Sequence, residues 1–390
     1  MILIGVALLF AWVGHACIWT TLLNYVYARP YPKPILKPWR LFTGVVILAF
    51  PFLPQYIVPP EHRASLPSQN DEWFNGTTGG VIFAYVCICL FFGLIVFPII
   101  TVRRCLRKPP SVLKNETTHT LDLMKELGPE VIGDGIGRFA AKLPFNDVFK
   151  MDFTELTLAL ANLPPELDGL TILHLTDVHY HGTPSRSFHE RVLQEIQTRW
   201  PKPDLVCLTG DYVDTDEHHT WIGPMLGRFR GPDGNFAILG NHDQLHHPDQ
   251  VRESLAAAGY TVIGNGSTLA TVRGVPVLFT GNEGPWFRPE PDAPKADASF
   301  RICLSHSPDQ FYWAKRNGMD LVLSGHVHGG QIRVPVIGSI FVPSVYGRRF
   351  DMGVFFEDRT AMVVGRGLSG KEPLRFCCHP QVILVKLVVA

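Results

Sequence analysis

Hydropathy divides the chain into two unlike parts. Met1 to Ala28 contains no Asp, Glu, Lys or Arg, and neither do Leu41 to Pro60 or Trp73 to Val102. A helix of about 20 residues covers a hydrocarbon core about 30 Å thick, so each run predicts a membrane-spanning helix. Pro51 and Pro54 interrupt the second run. The competing reading, buried helices of a soluble core, fits poorly with three such runs at the start of one chain. No basic residue precedes the first run, which argues against a cleavable signal peptide. From Pro109 to about Lys150 the pattern is polar and irregular, with a short helical spacing at Leu121, Leu123, Met124 and Leu127. No clear strand precedes Gly133, Gly135 and Gly137, so this stretch predicts a linker with a flexible joint rather than a nucleotide loop.

From Met151 the chain alternates strand, loop and helix. Leu156, Leu158 and Leu160 predict a half-buried strand that Pro164-Pro165 ends. Apolar strands follow at Leu170–Leu175, Leu205–Leu208, Phe236–Leu239, Ile302–Leu304 and Leu321–Leu323. Phe188, Val192, Leu193 and Ile196 share one helical face, and a second helix runs from about Asp249 to Ala258, stopped by Gly259. Val382 to Val389 reads as a last sheet strand. The expected organisation is a transmembrane region over 1–108, a linker over 109–150 and an α/β domain over 151–390.

Composition and charge sharpen this picture. Of 390 residues, 46% are hydrophobic and only 18% charged, which suits a chain partly in membrane. Lys+Arg and Asp+Glu each total 35, so no nucleic-acid partner is implied. The eight cysteines lack paired spacing and read as reduced thiols. Arg29, Lys33, Lys37 and Arg40 lie between the first two runs, and Arg103, Arg104, Arg107 and Lys108 follow the third. Glu61, Arg63, Asp71 and Glu72 between the second and third are mixed in sign. The positive-inside rule then places the N-terminus outside and the chain after Val102 in the cytoplasm, as a multi-pass protein of the inner membrane if the source is bacterial. Asn75-Gly76-Thr77 forms a glycosylation triplet, and His15 reads as a packing or hydrogen-bonding residue of its span.

The candidate chemistry sits at strand ends. Gly325-His326-Val327-His328-Gly329 follows an apolar strand, and alternate residues of extended backbone point the same way. The other strands run into Asp177 and His179, Asp211, Asn241, and His306. In α/β sheets, ligand sites form beyond the carboxyl ends of strands. Asp177, His179, Asp211, Asn241, His306, His326 and His328 are too many donors for one ion. They suit two ions sharing a bridging carboxylate.

Asp-x-His, Gly-Asp-x-x-Asp, Gly-Asn-His-Asp, a lone His after a strand, and Gly-His-x-His, in this order over about Leu170 to Gln331, resemble the calcineurin-like metallophosphoesterase superfamily. The resemblance implies an α/β/β/α sandwich behind the three transmembrane helices. It assigns Asp177, His179 and His328 to one metal, Asn241, His306 and His326 to the other, and Asp211 to both. His242 would be the catalytic histidine, oriented by Asp214. Thr215 stands where the protein phosphatases have arginine, which weakens a phosphoprotein substrate. Gly329-Gly330-Gln331, Tyr346-Gly347-Arg348-Arg349, Gly365-Arg366-Gly367 and Pro373-Leu374-Arg375 resemble the bacterial membrane-linked YkuE-type phosphohydrolases, a branch that includes UDP-diacylglucosamine pyrophosphatases.

The expected function is hydrolysis of a phosphodiester or pyrophosphate by metal-bound hydroxide, with a lipid-linked substrate as one option. The expected cofactors are two divalent ions, manganese first, with iron or zinc as alternatives. Phosphomonoester hydrolysis of a soluble or phosphoprotein substrate and a non-catalytic membrane scaffold or sensor are the rival functions. Arg348 and Arg349 are candidates for binding the substrate phosphate. Asp243 reads as a supporting or merely polar residue, and His181 as a substrate or loop residue. His218-His219 and His246-His247 read as solvated loop. Trp286 and Phe287 read as a loop packed on its own domain, or as an apolar lip facing lipid. The oligomeric state stays open.

Overall fold

The structure, a computed structural model, describes residues 2–53, 76–292 and 296–390. The chain forms two compact units, Met1–Lys108 and Pro109–Ala390. In the first, α1 is Ile2–Tyr27, α2 begins at Lys33 and continues through a 3-10 turn to Phe52, and α3 runs Thr77–Cys105 with a π turn at Phe92–Val96. All three are long and apolar enough to cross a membrane. α1 and α3 meet through glycine: a Cβ on Gly14 would lie 1.8 Å from the Cys89 carbonyl oxygen, so only glycine permits the approach. His15 has Nδ1 2.7 Å from the Tyr85 hydroxyl and Nε2 3.2 Å from the Val46 carbonyl, satisfying both nitrogens across three helices. α2 starts before the apolar run at Leu41. Lys33, Lys37 and Arg40 therefore ride on its first turns rather than in a loop. Residues 54–75, including Asn75 of the glycosylation triplet and the mixed charges Glu61, Arg63, Asp71 and Glu72, lie outside the described residues.

The second unit contains two larger sheets. The first has the order β1 (Leu113–Asp122), β2 (Lys150–Leu160), β15 (Gln381–Val389), β3 (Thr171–Leu175), β4 (Leu205–Thr209), β5 (Gly234–Ile238) and β6 (Thr261–Val262). The second runs β13 (Gly353–Glu357), β14 (Thr360–Val364), β10 (Leu321–Ser324), β9 (Phe300–Ser305), β8 (Val275–Asn282) and β7 (Ser267–Val272). A short hairpin, β11 (Arg333–Val334) with β12 (Gly338–Ser339), follows β10.

Both faces of the central strands of each sheet are buried, so β3, β4, β9 and β10 read as continuous apolar runs. Ile172, Leu205, Cys207 and Phe236 face Val277, Phe279, Ile302 and Leu323 in the core between the sheets. There the Phe236 and Phe279 rings stack with centroids 3.7 Å apart. Their chain neighbours Leu173, Val206, Leu208 and Ala237 face outward, onto Phe188, Val192 and Ile196 of the helix Arg186–Arg199 and Val251 and Leu255 of the helix Pro248–Ala257. On the far side, Cys303, Val322 and Met362 pack on Phe311 and Ala314 of the helix Phe311–Arg316. The layers are helix, sheet, sheet, helix, the mixed α/β architecture the sequence resemblance implies.

Residues 109–150, expected as a linker, form part of this unit. β1 pairs antiparallel with β2, and Thr118 and Thr120 bond Thr154 and Asp152 across the pair at 3.0 and 2.5 Å. Leu123, Val131 and Val148 are buried in the core. Gly133 and Gly135 form no free joint: a Cβ on Gly135 would lie 1.9 Å from the His181 carbonyl oxygen. β1 escaped detection because an edge strand needs few apolar residues, and Lys-Asn-Glu-Thr-Thr-His-Thr has none. The last strand, β15, lies inside the sheet, parallel to β2 and antiparallel to β3.

Candidate metal centre

β3, β4 and β5 are mutually parallel, as are β9 and β10, so their carboxyl ends deliver side chains to common edges. Asp177, His179, Asp211, His326 and His328 all leave these ends with positive φ, between 48 and 69°. Non-glycine residues are rarely held there except where surrounding structure over-determines them, as at functional sites. Gly240 leaves room for the turn: a Cβ on it would lie 2.2 Å from Asp211 Oδ1.

The seven expected ligands contribute to two adjoining groups. Asp177, His179 and His328 form one. His179 Nε2 is 3.9 Å from Asp177 Oδ1 and 3.3 Å from His328 Nε2, and His328 Nε2 is 3.5 Å from Asp177 Oδ1. Asp211, His306 and His326 form the other. His306 Nε2 is 3.4 Å from Asp211 Oδ2 and 3.0 Å from Asn241 Oδ1. Asp211 Oδ2 also stands 3.6 Å from His179 Nε2, which puts one carboxylate between both groups.

Each imidazole has its other nitrogen at a fixed oxygen. His179 Nδ1 meets Asp214 at 2.9 Å, His306 Nδ1 the Thr209 carbonyl at 2.7 Å, His328 Nδ1 the Ser369 carbonyl at 3.2 Å and His326 Nε2 the Pro343 carbonyl at 3.1 Å. Such partners fix the ring orientation and turn the second nitrogen inward, as metal-bound histidines require. Donor atoms about 2.0–2.2 Å from a shared ion sit about 3.0–3.6 Å from one another, the spacing most of these atoms have. The residues fit metal ions by both tests.

Electrostatics agrees. Burial alone would raise Asp211 and Asp214, but the adjoining histidines hold both well below the usual carboxylate range. Burial pushes His326 down to about 3 and His328 lower than its ordinary value, favouring neutral imidazole. At His179 and His306 burial is outweighed by Asp214 and Asp211 respectively, and both rise to about 9.

His242 is less buried than the other histidine donors, and with His179 and Asp211 it forms a third group within metal-ligand spacing. Its side chain is 19% exposed, its Nδ1 bonds Asp214, and its backbone N–H donates to Asp211 Oδ1 at 2.8 Å. Asp214 thus holds His179 and His242 with its two oxygens.

The calcineurin-like phosphoesterase family pattern matches residues 170–330, the stretch that carries these groups. The metallophosphoesterase YkuE of Bacillus subtilis is 33% identical over 253 residues, 61% of this chain and 85% of its own length. The chain belongs to the calcineurin-like phosphoesterase family. Phosphodiesterase YaeI of Escherichia coli is 31% identical, over 56% of this chain and 82% of its own length. UDP-2,3-diacylglucosamine pyrophosphatase LpxG of Chlamydia trachomatis is 26% identical, over 58% of this chain and 86% of its own length. This phosphoesterase is a metal-dependent phosphoester hydrolase.

Not every expected residue joins the site. Arg348 donates to the Ile337 carbonyl at 2.9 Å, and Arg349 to Glu357 at 2.8 Å while lying over the Tyr312 and Phe350 rings. Both arginines serve the fold around Gly347–Phe350 in these contacts. Lys371 instead reaches the centre, its Nζ 3.9 Å from Asp214 Oδ1. It follows Gly365-Arg366-Gly367, a stretch notable in the sequence, but only folding brings that turn over His328. Arg375 is fully buried, donating to the Ser369 carbonyl at 2.5 Å, the same oxygen that meets His328. Trp286 is buried with its ring centroid 4.6 Å from that of His326, so it covers the site rather than facing lipid.

Proposed function

We propose that this chain is a membrane-anchored hydrolase with two metal ions that cleaves a phosphodiester or pyrophosphate bond in a lipid-linked substrate. The single observation carrying it is Asp211, one carboxylate within 3.6 Å of His179 and 3.4 Å of His306. Asp177, His179 and His328 would hold one divalent cation, and Asn241, His306 and His326 the other, with Asp211 common to both. Manganese is the first candidate. When bound, the pair supplies Lewis acidity, lowering the pKa of water to about 7 and offsetting charge on phosphoryl oxygens.

The remaining chemistry belongs to side chains. His242, oriented by Asp214, donates a proton to the leaving oxygen through Nε2. Its exposure and its bond to Asp214 favour that role over metal ligation. Lys371 offers an ammonium for a phosphate oxygen. The names of YaeI and LpxG support diester and lipid-linked pyrophosphate chemistry, and helices suited to a membrane support a lipid substrate. Basic residues at the start of α2 and the end of α3 favour a cytoplasmic catalytic unit.

The test compares turnover of bis-p-nitrophenyl phosphate and p-nitrophenyl phosphate by the full chain with added manganese. It then looks for phosphorylated head groups released from a total lipid extract. Faster diester cleavage and head-group release are expected. A faster monoester would reassign the substrate class, and no turnover of either would leave the fold without this chemistry.

A further inference from the structure

Beside the site, the second unit exposes an apolar stretch that its own core leaves uncovered. Ile136, Phe139, Leu143 and Phe145 are 43%, 76%, 51% and 83% exposed. Arg138 and Lys142 are exposed between them, and no carboxylate lies from Gly135 to Asn146; Asp134 and Glu372 flank the stretch. The Arg138 guanidinium lies 5.3 Å over the Phe139 ring. Phe145 is presented outward from a backbone at φ 61, a costly conformation for a bulky residue.

This lip is built onto the rim of the metal centre. Asn146 Nδ2 donates to the Ala140 and Pro373 carbonyls at 3.0 and 2.8 Å, and the Asp147 N–H to the Arg375 carbonyl at 2.8 Å. Gly135 is packed on His181, whose Nε2 is 3.2 Å from the Gly370 carbonyl, one residue before Lys371. On the other side of Pro373–Arg375, Phe376 and Ile332 form an isolated β-bridge, 39% and 40% exposed, and extend the apolar surface.

We propose that the lip Ile136–Phe145 seats the catalytic unit on an anionic bilayer surface. Cations interleaved with phenylalanine and aliphatic side chains match a boundary of anionic head groups over acyl chains. A protein partner would bury the apolar groups equally well but gives no reason for both charges within Gly135–Asn146 to be cations, the acids Asp134 and Glu372 lying at its margin. The consequence for substrate rests on the phosphohydrolase reading: a lipid-linked phosphoester would meet Lys371 and the metal groups without leaving the bilayer.

The test uses the full chain in phosphatidylcholine nanodiscs, with and without phosphatidylglycerol and with brominated acyl chains. The variant Phe145→Trp is compared with the parent. Tryptophan emission is expected to be quenched beyond the parent's in the anionic discs, and R138Q/K142Q to reduce the docked-to-undocked ratio about fivefold per cation removed. No added quenching in anionic discs would overturn the proposal. So would shielding of the new indole that follows protein concentration rather than lipid, which would point to a second copy. Hydrolysis of bis-p-nitrophenyl phosphate, which needs no bilayer, should be unchanged in these variants and serves as the folding control. Its absence in the parent would count against the phosphohydrolase reading while leaving the quenching result intact.

Discussion

Asp243 accepts the backbone N–H of Asp211 at 2.8 Å, and those of Tyr212 and Gly240 at the same distance. A buried carboxylate thereby pins the strained turn from which Asp211 reaches both ligand groups. Asp243→Ala should leave these donors unpaired, at about 1–3 kcal/mol each. Metal content by elemental analysis and the melting temperature should both fall. Retention of full metal content would show that the turn holds without its anchor.

His242 makes the opposite prediction. His242→Ala should cut turnover by about 10²–10⁴-fold, the range for a lost general acid, with metal content kept. Asp214→Asn should lower turnover and also weaken metal binding, because the same carboxylate fixes His179. Parallel loss of metal in both variants would make His242 a ligand instead.

Metal affinity should depend on pH in a definite direction. His179 and His306, raised to about 9 by their carboxylates, carry protons at neutral pH that an incoming cation must displace. Affinity for manganese by calorimetry should therefore climb until about pH 9 and weaken on acidification. A flat profile would remove these two imidazoles from the ligand set. Chelation should abolish turnover and lower the melting temperature.

Two histidines outside the centre predict acid lability. Burial pushes His174 and His189 from the ordinary 6.5 down to about 3. Below 6.5 the unfolded chain binds protons the folded one refuses, so stability is full above that value and drains as pH falls toward 3. Neither ring nitrogen of His189 is hydrogen-bonded, and its ring sits among Tyr180, Phe188 and Trp221. His189→Phe should reduce the loss of melting temperature between neutral pH and about pH 5. An unchanged loss would assign the lability elsewhere.

Lys371→Met should raise KM for a phosphodiester with metal content unchanged, and Lys371→Arg should restore part of it. An effect on kcat alone would place the ammonium in proton transfer or positioning rather than substrate binding.

The strand ends were legible in the sequence because apolar runs of the right length announce buried strands, and the polar residue after each one has to sit at a sheet edge. That logic located Asp177, His179, Asp211, Asn241, His306, His326 and His328, and charge-free runs located the helices long and apolar enough to cross a membrane. It failed where contact, not composition, decides. β1 is polar and survives only by pairing with β2, Arg348 and Arg349 are engaged by Ile337 and Glu357, and Lys371 takes its place only when distant turns meet. Local pattern determines which segments become strands and helices, since burial periodicity is written residue by residue. The pairing partner of β15, the anchor under Asp211 and the lip at Phe145 depend on long-range packing, which no window along the chain contains.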